Sequence, residues 1–416
     1  MSSVNDSLAA TGRKSSGKRS LLERFFASAR GADFAVWLWD GTGMRFGEGD
    51  PEFEIFFRRE PSLVGMVSSP SLFFGEGYMR GDIDITGSYK AMARALGSVT
   101  SMSGGESFSG RILSVASGFS GIIRSLAEQK SDVAAHYDLG NDFFSLWLDG
   151  RTHSYSCAYF RTENDSLETA QQQKIDLVLR KLRVRPGMRL LEIGCGWGGL
   201  SLSAALDHGA KVLAITLSEE QASAVRRKFE EHGLGGLCEV RLCNYLELGP
   251  EEKFDRISSV GMFEHVGKAH CGDYFEKIRA LLNDGGLSLL HTLIKNKPAE
   301  TDPWIAKYIF PGGHNPALSE IVAELAERDF RLVHMESLRR HYVRTLDIWS
   351  ANFNRPDVLK KVRAMFDREF VRMWSLYLDM ASAFLAIGDL DVSQLVFSKG
   401  TADDLPMTLE PVYNWD

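Results

Sequence analysis

Cys157 is a candidate reactive residue, because it lies among hydroxyl and aromatic side chains in THSYSCAYF, residues 152–160. A cysteine in this setting could be a nucleophile, a metal ligand, half of a disulfide or a small apolar core residue. The chain has five cysteines, an odd number, at scattered positions and without a CxxC pair. The sequence therefore argues against a disulfide framework and against a metal site of the usual zinc type, and favours a reduced thiol.

A glycine-rich turn occurs in LLEIGCGWGGLS, residues 190–201. An apolar run leads into Gly194, Gly196 and Gly198 and a helical pattern follows, so the backbone can approach a ligand closely. The spacing E-x-G-x-G-x-G differs from the dinucleotide fingerprint G-x-G-x-x-G. With Glu192 inside it, the turn resembles motif I of S-adenosylmethionine (SAM) methyltransferases with a Rossmann-like fold. The alternative is a purely structural strand-to-helix turn.

Two later segments carry polar groups where nucleotide-binding folds contact a ribose and a base. TLSEEQ, residues 216–221, ends the second apolar run of this region, and Asn244 with Tyr245 follows the third. We expect the first segment to face the ribose and the second to border the adenine. Asn-Tyr is unremarkable as a dipeptide and gains its meaning only from its position.

The elements that must position these residues are apolar runs that alternate with helical patterns after residue 130. MRLLEIG, KVLAITLS and FDRISSV are separated by helical stretches such as EEQASAVRRKFEEHGL. Alternation at this spacing predicts an α/β fold with a doubly wound, mostly parallel sheet.

The length of 416 residues predicts more than one domain. Short apolar and aromatic runs broken by glycine turns predict a smaller mixed α/β domain before the catalytic one. We assign a disordered basic tail to 1–20, a substrate-handling or assembly domain to 21–105, a linker segment to 106–130, the catalytic domain to 131–400 and a C-terminal tail to 401–416.

Composition excludes some classes of function. The formal net charge of −7 offers no overall positive field for nucleic acid. The sequence shows no apolar run near the ~18 residues that span a bilayer, and its N-terminus shows no apolar stretch of a secretory signal. We expect a cytoplasmic protein.

Several ordered motifs join into a family resemblance. HYDLGNDFFSLWLDG, SYSCAYF, EIGCGWGG, ITLSEEQ, FDRISSVGMFEHVG, LLHTL, KYIFPGG and HYVRTLDIW follow one another between about residues 130 and 395. Together they resemble the cyclopropane-fatty-acyl-phospholipid synthase family with its mycolic-acid-modifying relatives, and GEGYMRGDIDITGSY resembles the extra domain of the longer bacterial members. The resemblance implies SAM as cofactor, held by Tyr155, Ser156, Glu192, Gly194, Cys195, Gly196, Gly198, Thr216, Gln221, Asn244 and Tyr245. At Asn244 the family more often has an acidic residue or glycine.

The resemblance also implies a reaction and its base. The double bond of an unsaturated phospholipid acyl chain attacks the cofactor's methyl group, and loss of a proton to bound bicarbonate closes a cyclopropane ring. The implied bicarbonate site consists of Cys157, Glu264, His291, Tyr342 and the backbone of Leu293. Tyrosine, imidazole and thiol groups can donate to an anion, but Glu264 needs a shared proton beside one. Each of these side chains could otherwise be an ordinary core or surface residue.

An alkene offers no polar handle, so its pocket should be apolar and aromatic around a small base. Aromatic residues flank the motifs at Tyr137, Phe143, Phe144, Trp147, Tyr159, Phe160, Phe263 and Trp349, although core packing is the alternative for each. One departure from the family, His314-Asn315 in PGGHNPAL, places polar groups where apolar ones are expected and bears on the preference for acyl chains.

The lipid substrate implies transient contact with the inner face of the cell membrane. EFEIFFRRE in the N-terminal domain and the helical stretch 368–388 are the candidate contacts, with core packing or a dimer interface as alternatives. We expect a homodimer. Two other functions compete with cyclopropane synthesis: a related methyltransferase that makes methyl-branched chains or methylates another small molecule, and a non-catalytic lipid-binding protein.

Overall fold

The computed structural model describes residues 17–102, 139–403 and 405–415, and these divide into two compact units. The first contains the described residues before position 121 together with Phe366–Ile387, and the second contains the remainder. The linker predicted at 106–130 lies outside the described residues, as does most of the tail predicted at 1–20. Residues 17–20 of that tail instead begin a helix.

The first unit holds a four-stranded sheet with strand order β2-β1-β3-β4, in which β1 and β3 are parallel and the outer pairs are antiparallel. Its elements are α1 (17–27), β1 (Phe34–Trp37), β2 (Gly43–Phe46), β3 (Phe53–Phe57), α2 (Leu63–Ser68), α3 (Pro70–Arg80), β4 (Ile83–Gly87) and α4 (Tyr89–Met102). Alternate residues of β3 are buried, so Phe53, Ile55 and Phe57 point into the core.

The second unit holds a seven-stranded sheet. Its elements are α5 (Asn141–Ser145), α6 (Leu167–Lys181), β5 (Arg189–Ile193), α7 (Gly199–Leu206), β6 (Lys211–Thr216), α8 (Glu219–Glu231), β7 (Cys238–Leu242), β8 (Phe254–Val260), α9 (Cys271–Leu281), β9 (Leu282–Lys295), α10 (Pro303–Tyr308), α11 (Leu318–Glu327), β10 (Phe330–Ser337), α12 (Arg339–Phe353), α13 (Pro356–Met365), β11 (Leu390–Lys399) and α15 (Glu410–Tyr413), while α14 (Arg368–Ile387) belongs to the first unit.

The strand order of this sheet is β10-β11-β9-β8-β5-β6-β7. Strands β7, β6, β5, β8 and β9 run parallel, and β11 is antiparallel to both of its neighbours. The chain leaves β5 for β6 on one side and later returns to β8 on the other, so ligands are expected at the carboxyl end of β5. The prediction of a doubly wound, mostly parallel sheet is confirmed.

Helix α14 belongs to the first unit, whereas the domain boundaries predicted from the sequence placed it in the catalytic domain at 131–400. It packs on α3 and α4, and Arg372 donates to the backbone oxygen of Tyr78 and to Asp84. By length and composition alone this helix could cross a membrane. The sequence alone predicted no apolar run of that length. Half of its most apolar stretch is buried in the described structure.

Candidate active site

A cavity opens at the carboxyl ends of β5, β6 and β8 in the second unit, where the switch in strand order predicts a ligand. It encloses about 1070 Å³ of empty space, part of it open to solvent. Ten of the residues assigned to the cofactor line it: Tyr155, Ser156, Glu192, Gly194, Cys195, Gly196, Thr216, Gln221, Asn244 and Tyr245. Their contacts with a cofactor stay predictions.

The glycine turn forms part of the lining of this cavity, through Gly194 and Gly196. Gly194 has φ of +77°, and a Cβ there would lie 2.9 Å from Cβ of Met262, so the position accepts no side chain without movement. Gly198 does not line the cavity; it is the N-cap of α7 with φ of +79°, against Val225. Gly198 therefore starts the helix, and its contact with the cofactor stays a prediction.

Glu192 lies at the end of β5 with its carboxylate buried, where it accepts a hydrogen bond from Ser201 Oγ. Burial raises the pKa of Glu192 to about 7, while Ser201 and the nearby Lys174 oppose that rise. The carboxyl group therefore titrates near neutrality, and its charge depends on what occupies the cavity.

The segments after β6 and β7 are held by local caps. Ser218 accepts from the backbone N–H of Gln221, and Thr216 Oγ1 donates to Gln221 Oε1 over 2.7 Å. Asn244 Oδ1 accepts from the backbone of Leu246, which fixes the turn that carries Tyr245. The Tyr245 hydroxyl is buried and has no hydrogen-bond partner among the described residues. The cavity is also lined by the polar side chains of Ser156, Thr216, Gln221 and Asn244, so it fits a cofactor with polar edges such as SAM.

Lys174 is a residue of the cavity that the sequence reasoning missed. It is 4% exposed, and its ammonium group donates to Ser156 Oγ at 3.0 Å and Ser154 Oγ at 3.4 Å. Burial lowers the pKa of Lys174 to about 8, against the opposing effects of Asp149 and Glu192.

A signal for this residue exists in the sequence of α6. Buried positions recur there in steps of four and three residues, and polar side chains occupy several of them, at Gln171, Lys174 and Lys181. Polar residues on the apolar stripe of a helix need buried partners. Gln171 has such partners, because its amide donates to the backbone oxygens of Ser154 and Ser156. The stripe therefore fixes the segment that faces the cofactor.

The residues assigned to the anion site meet around Leu293. Its backbone N–H donates to Glu264 Oε1 at 2.8 Å, and its side chain packs with Tyr342 against the cluster that contains Cys157. His291 lies two positions earlier on β9, so its side chain shares a face of the strand with Leu293. The structure thus brings all five together, although none of them lines the cofactor cavity.

The anion site adjoins that cavity through its chain neighbours. Ser156 and His265, which line the cavity, are adjacent in sequence to Cys157 and Glu264. Gly261, also in the lining, donates its N–H to the backbone oxygen of His291 at 2.9 Å.

Two buried polar atoms in the anion site, Glu264 Oε2 and His291 Nε2, have no hydrogen-bond partner among the described residues. Burial raises the pKa of Glu264, and burial together with Lys174 and Lys181 lowers the pKa of His291 to about 3. A buried carboxyl whose pKa is raised and a neutral imidazole fit a small anion that carries its own proton, such as bicarbonate.

Cys157 is 1% exposed, and its thiol donates to the backbone oxygen of Ala158 at 3.2 Å. Burial raises its pKa well above the usual value. The sulfur is therefore a neutral weak donor and lacks the thiolate that a nucleophile requires. All five cysteines of the chain are unpaired.

An aromatic group surrounds Tyr155. Its ring centroid lies 5.3 Å from Phe144, 5.5 Å from Trp147 and 5.3 Å from Trp349, and Trp349 contacts Tyr342 edge to face at 6.0 Å. These rings connect the cofactor cavity to the anion site. Phe143, Phe160 and Phe263 are buried, Tyr159 stacks on His341, and Tyr137 lies outside the described residues.

His314-Asn315, the polar pair that departs from the family pattern, lies beside the segment that carries Glu264. His314 is 8% exposed, and its backbone N–H donates to the backbone oxygen of Glu264 at 2.8 Å. Burial is the main reason that the pKa of His314 is lowered. The backbone of His314 therefore supports the Glu264 backbone, and the effect of the polar pair on the acyl chain stays a prediction.

Comparison with known proteins identifies two matching regions. Residues 124–395 match the family model described as mycolic acid cyclopropane synthetase, and residues 21–130 match a domain of unknown function, DUF7884. A probable fatty acid methyltransferase of Pseudomonas putida is 35% identical over 90% of this chain and 95% of its own length. The cyclopropane-fatty-acyl-phospholipid synthase of Escherichia coli strain K12 is 38% identical over 65% of this chain and 68% of its own length.

A solved structure, the mycolic acid cyclopropane synthase CmaA1 complexed with SAH and CTAB, is similar to this chain with a TM-score of 0.61 and 33% identity. The match covers 65% of this chain and 98% of that one. The predicted cofactor class is confirmed at this level, and the chain belongs to the mycolic acid cyclopropane synthetase family as a SAM-dependent methyltransferase of the cyclopropane synthase type.

Proposed function

We propose that the protein converts the cis double bond of unsaturated phospholipid acyl chains into a cyclopropane ring, with bicarbonate held as the base. The observation that carries the proposal is a pair of buried atoms, Glu264 Oε2 and His291 Nε2, that lie next to the cofactor cavity and have no hydrogen-bond partner in the described part of the chain. One is an oxygen that can accept or share a proton and the other a ring nitrogen, so together they suit an anion that both accepts and donates.

The residues that line the cavity would position SAM. SAM supplies an electrophilic methyl group when bound. Tyr155 and Ser156, fixed by Gln171 and Lys174 from α6, would hold the cofactor, and the glycine turn would border its amino-acid end. Holding the methyl carbon in line with the alkene removes orientational freedom before the reaction. This lowers the activation barrier by several kcal/mol.

The product requires one proton to be removed. The π bond of the alkene is replaced by two bonds to the transferred carbon, and that carbon loses one proton. The rings of Tyr155, Trp349 and Tyr342 offer faces that stabilise positive charge on the acyl chain. Cys157, Tyr342, His291 and the Leu293 backbone would orient the base, and Glu264 would share a proton with it.

The direct experiment incubates the protein with SAM and vesicles of monounsaturated phospholipid and analyses the acyl chains by mass. The expected result is a gain of one methylene in a chain that resists catalytic hydrogenation. Lipid that returns unreacted would overturn the proposal.

Formation of methyl-branched chains is the second candidate, because the Pseudomonas putida relative that matches both units is described as a probable fatty acid methyltransferase. A product that gains mass and then takes up hydrogen favours this candidate. Methylation of a small amine has no comparable support in the site.

The lipid substrate implies transient binding to the inner face of the cell membrane by a cytoplasmic protein, and we propose a homodimer. EFEIFFRRE is a poor contact, because Phe53, Ile55 and Phe57 are buried while Arg58 and Arg59 pair with Asp84 and Asp82. Sedimentation with anionic vesicles at low salt tests the membrane step, and failure to co-sediment would remove it. Sedimentation equilibrium without lipid tests the dimer.

A further inference from the structure

The second ring nitrogen of His291 faces a buried amide. His291 pairs with Gln394 across β9 and β11, and Gln394 Nε2 lies 3.2 Å from His291 Nδ1. Both residues are buried, at 1% and 0% exposure, so water does not compete for this contact. The polarity of the hydrogen bond therefore decides which ring nitrogen carries the proton.

Lys181 decides that polarity. Its ammonium group donates to Gln394 Oε1 at 2.8 Å and forms an ion pair with Glu336, and its side chain is 1% exposed. An ammonium group can only donate, so the amide oxygen must face Lys181 and the amide NH₂ must face His291. His291 Nδ1 then accepts, and the proton of the neutral imidazole lies on Nε2.

We propose that Lys181 and Gln394 are positioning residues that hold His291 in the Nε2–H tautomer, so that His291 donates a hydrogen bond to the anion and does not act as the base. Nε2 is the buried atom that has no partner among the described residues. An N–H group at that position would meet the need of an anion in the site. The role of His291 toward the anion rests on the proposed function, whereas the tautomer itself can be measured without substrate.

The electrostatics agree with a neutral donor. Burial, with the positive charges of Lys174 and Lys181, lowers the pKa of His291 to about 3. Both lysines belong to α6, while β11 presents the uncharged Gln394 and β8 presents Val260 to His291. Glu336 lies beyond Lys181, and Glu264 is bound to the backbone two positions along β9. The imidazole therefore stays neutral through the physiological pH range.

The amide also prevents His291 from passing its proton outward. A carboxamide transmits the direction of a hydrogen bond but does not readily take up and release protons, so Lys181 and Glu336 are insulated from the imidazole. The network that continues from Glu336 to Tyr413 and His334 therefore orients Lys181 instead of conducting protons.

The test reads the tautomer directly, without substrate. The full-length protein labelled with ¹⁵N-histidine is examined by long-range ¹H–¹⁵N correlation between pH 5.5 and 8.5. The expected pattern for His291, assigned by its loss in His291→Asn, is protonated Nε2 and unprotonated Nδ1 at every pH. A proton on Nδ1, or a titration between pH 6 and 7, would overturn the proposal.

Gln394→Glu provides the matched variant. A carboxylate at this position accepts from Nδ1–H, so the neutral ring has no proton on Nε2 and the donor is lost. We expect turnover at pH 8 to fall about 100-fold, the usual cost of one preorganised donor. As the pH falls and imidazolium restores Nε2–H, the ratio of variant to wild-type turnover should rise. SAH affinity should stay within about twofold, because Gln394 does not line the cofactor cavity.

Gln173→Glu is the control, because its side-chain oxygen already accepts from the backbone N–H of Arg161, outside this network. It should retain turnover and the wild-type pH profile. A Gln394→Glu protein with a constant activity ratio across pH would contradict the tautomer mechanism even if its activity were low. If the wild-type protein lacks cyclopropane product but His291 shows the Nε2–H pattern, the proposed function fails and the assignment of Lys181 and Gln394 as the residues that set the tautomer stands.

Discussion

At the scale of single residues, burial disfavours charge throughout the proposed anion site. Cys157 is a buried thiol, His291 a buried imidazole and Glu264 a buried carboxyl, and burial favours the neutral form of each. Under the proposed function, such a site would attract an anion through hydrogen bonds rather than through net positive charge. The residue types and their family positions were predictable from the sequence. Lys174 and Gln394 were not, because their value depends on what they contact after folding.

Cys157→Ser tests the role of the thiol. Serine is smaller and more strongly solvated in the unfolded chain, so it should disturb the packing against Leu338 and Val392 as well as the donor. We expect turnover to fall about 10-fold or more, while SAH affinity measured by calorimetry changes less than about twofold. Cys271→Ser is the control, since that half-buried thiol donates to the backbone of Gly267 outside the site. Unchanged turnover in Cys157→Ser would count against the anion site.

Glu192→Gln tests the pKa of about 7 in the cofactor cavity. The folded protein binds a proton here more tightly than the unfolded chain, whose glutamate titrates near 4.5. This stabilisation is complete below that value and is lost as the pH rises through about 7. From pH 5 to pH 8 the unfolding free energy of wild type should therefore fall by roughly 2 kcal/mol relative to Glu192→Gln. Urea unfolding at several pH values measures this difference.

Glu219→Gln, at an exposed carboxylate in the first turn of α8, controls for the loss of one surface charge. Its difference from wild type should show no such fall. Parallel curves for wild type and Glu192→Gln across this range would contradict the raised pKa.

At the scale of elements, the carboxyl end of β5 is the feature that sequence patterns predict best. The apolar run, the glycine spacing and the following helix all occur where expected. Gly198 caps α7 and is not among the residues that line the cavity, so its contact with the cofactor stays a prediction. Glycine spacing alone does not show which positive-φ positions face a ligand and which face a helix.

Gly194→Ala tests the turn. The new methyl group would meet Met262 at 2.9 Å in a backbone conformation that L-residues rarely adopt. We expect a loss of at least about 1 to 2 kcal/mol in stability, together with at least a 10-fold weaker SAH affinity because the displaced backbone lines the cavity. Gly187→Ala has a similar φ of +81° but no atom within 4 Å, so it isolates the backbone cost. Equal SAH affinity in both variants would refute the close-approach role.

At the scale of the whole molecule, the two units are interleaved in sequence. Helix α14 joins the first unit through Arg372 and its packing on α3 and α4, although it follows most of the catalytic sequence. No local pattern reveals this return, because the amphipathic face of α14 fits a core of either unit. Residues 405–415 of the C-terminal tail predicted at 401–416 are likewise described, and the guanidinium groups of Arg161 and Arg180 both lie over the ring of Trp415.

Deletion of residues 1–130 tests the interleaving. It removes α3 and α4 and leaves the apolar face of α14 and the charge of Arg372 without their partners. We expect the truncated protein to bind the dye ANS and to aggregate at concentrations where the full chain stays dispersed. Deletion of residues 1–16 alone is the control, since their polar, Ser-rich composition predicts a disordered tail. A truncated protein that is stable and binds no ANS would contradict the assignment of α14.

The most direct measurement of cyclopropane formation uses SAM with a trideuterated methyl group and vesicles of monounsaturated phospholipid. Closing the ring requires the transferred carbon to lose one hydrogen, so we predict acyl chains that carry two deuterium atoms and resist hydrogenation. Chains that keep all three deuterium atoms, or that take up hydrogen after the transfer, would show that the carbon is delivered without ring closure and would contradict the proposed function.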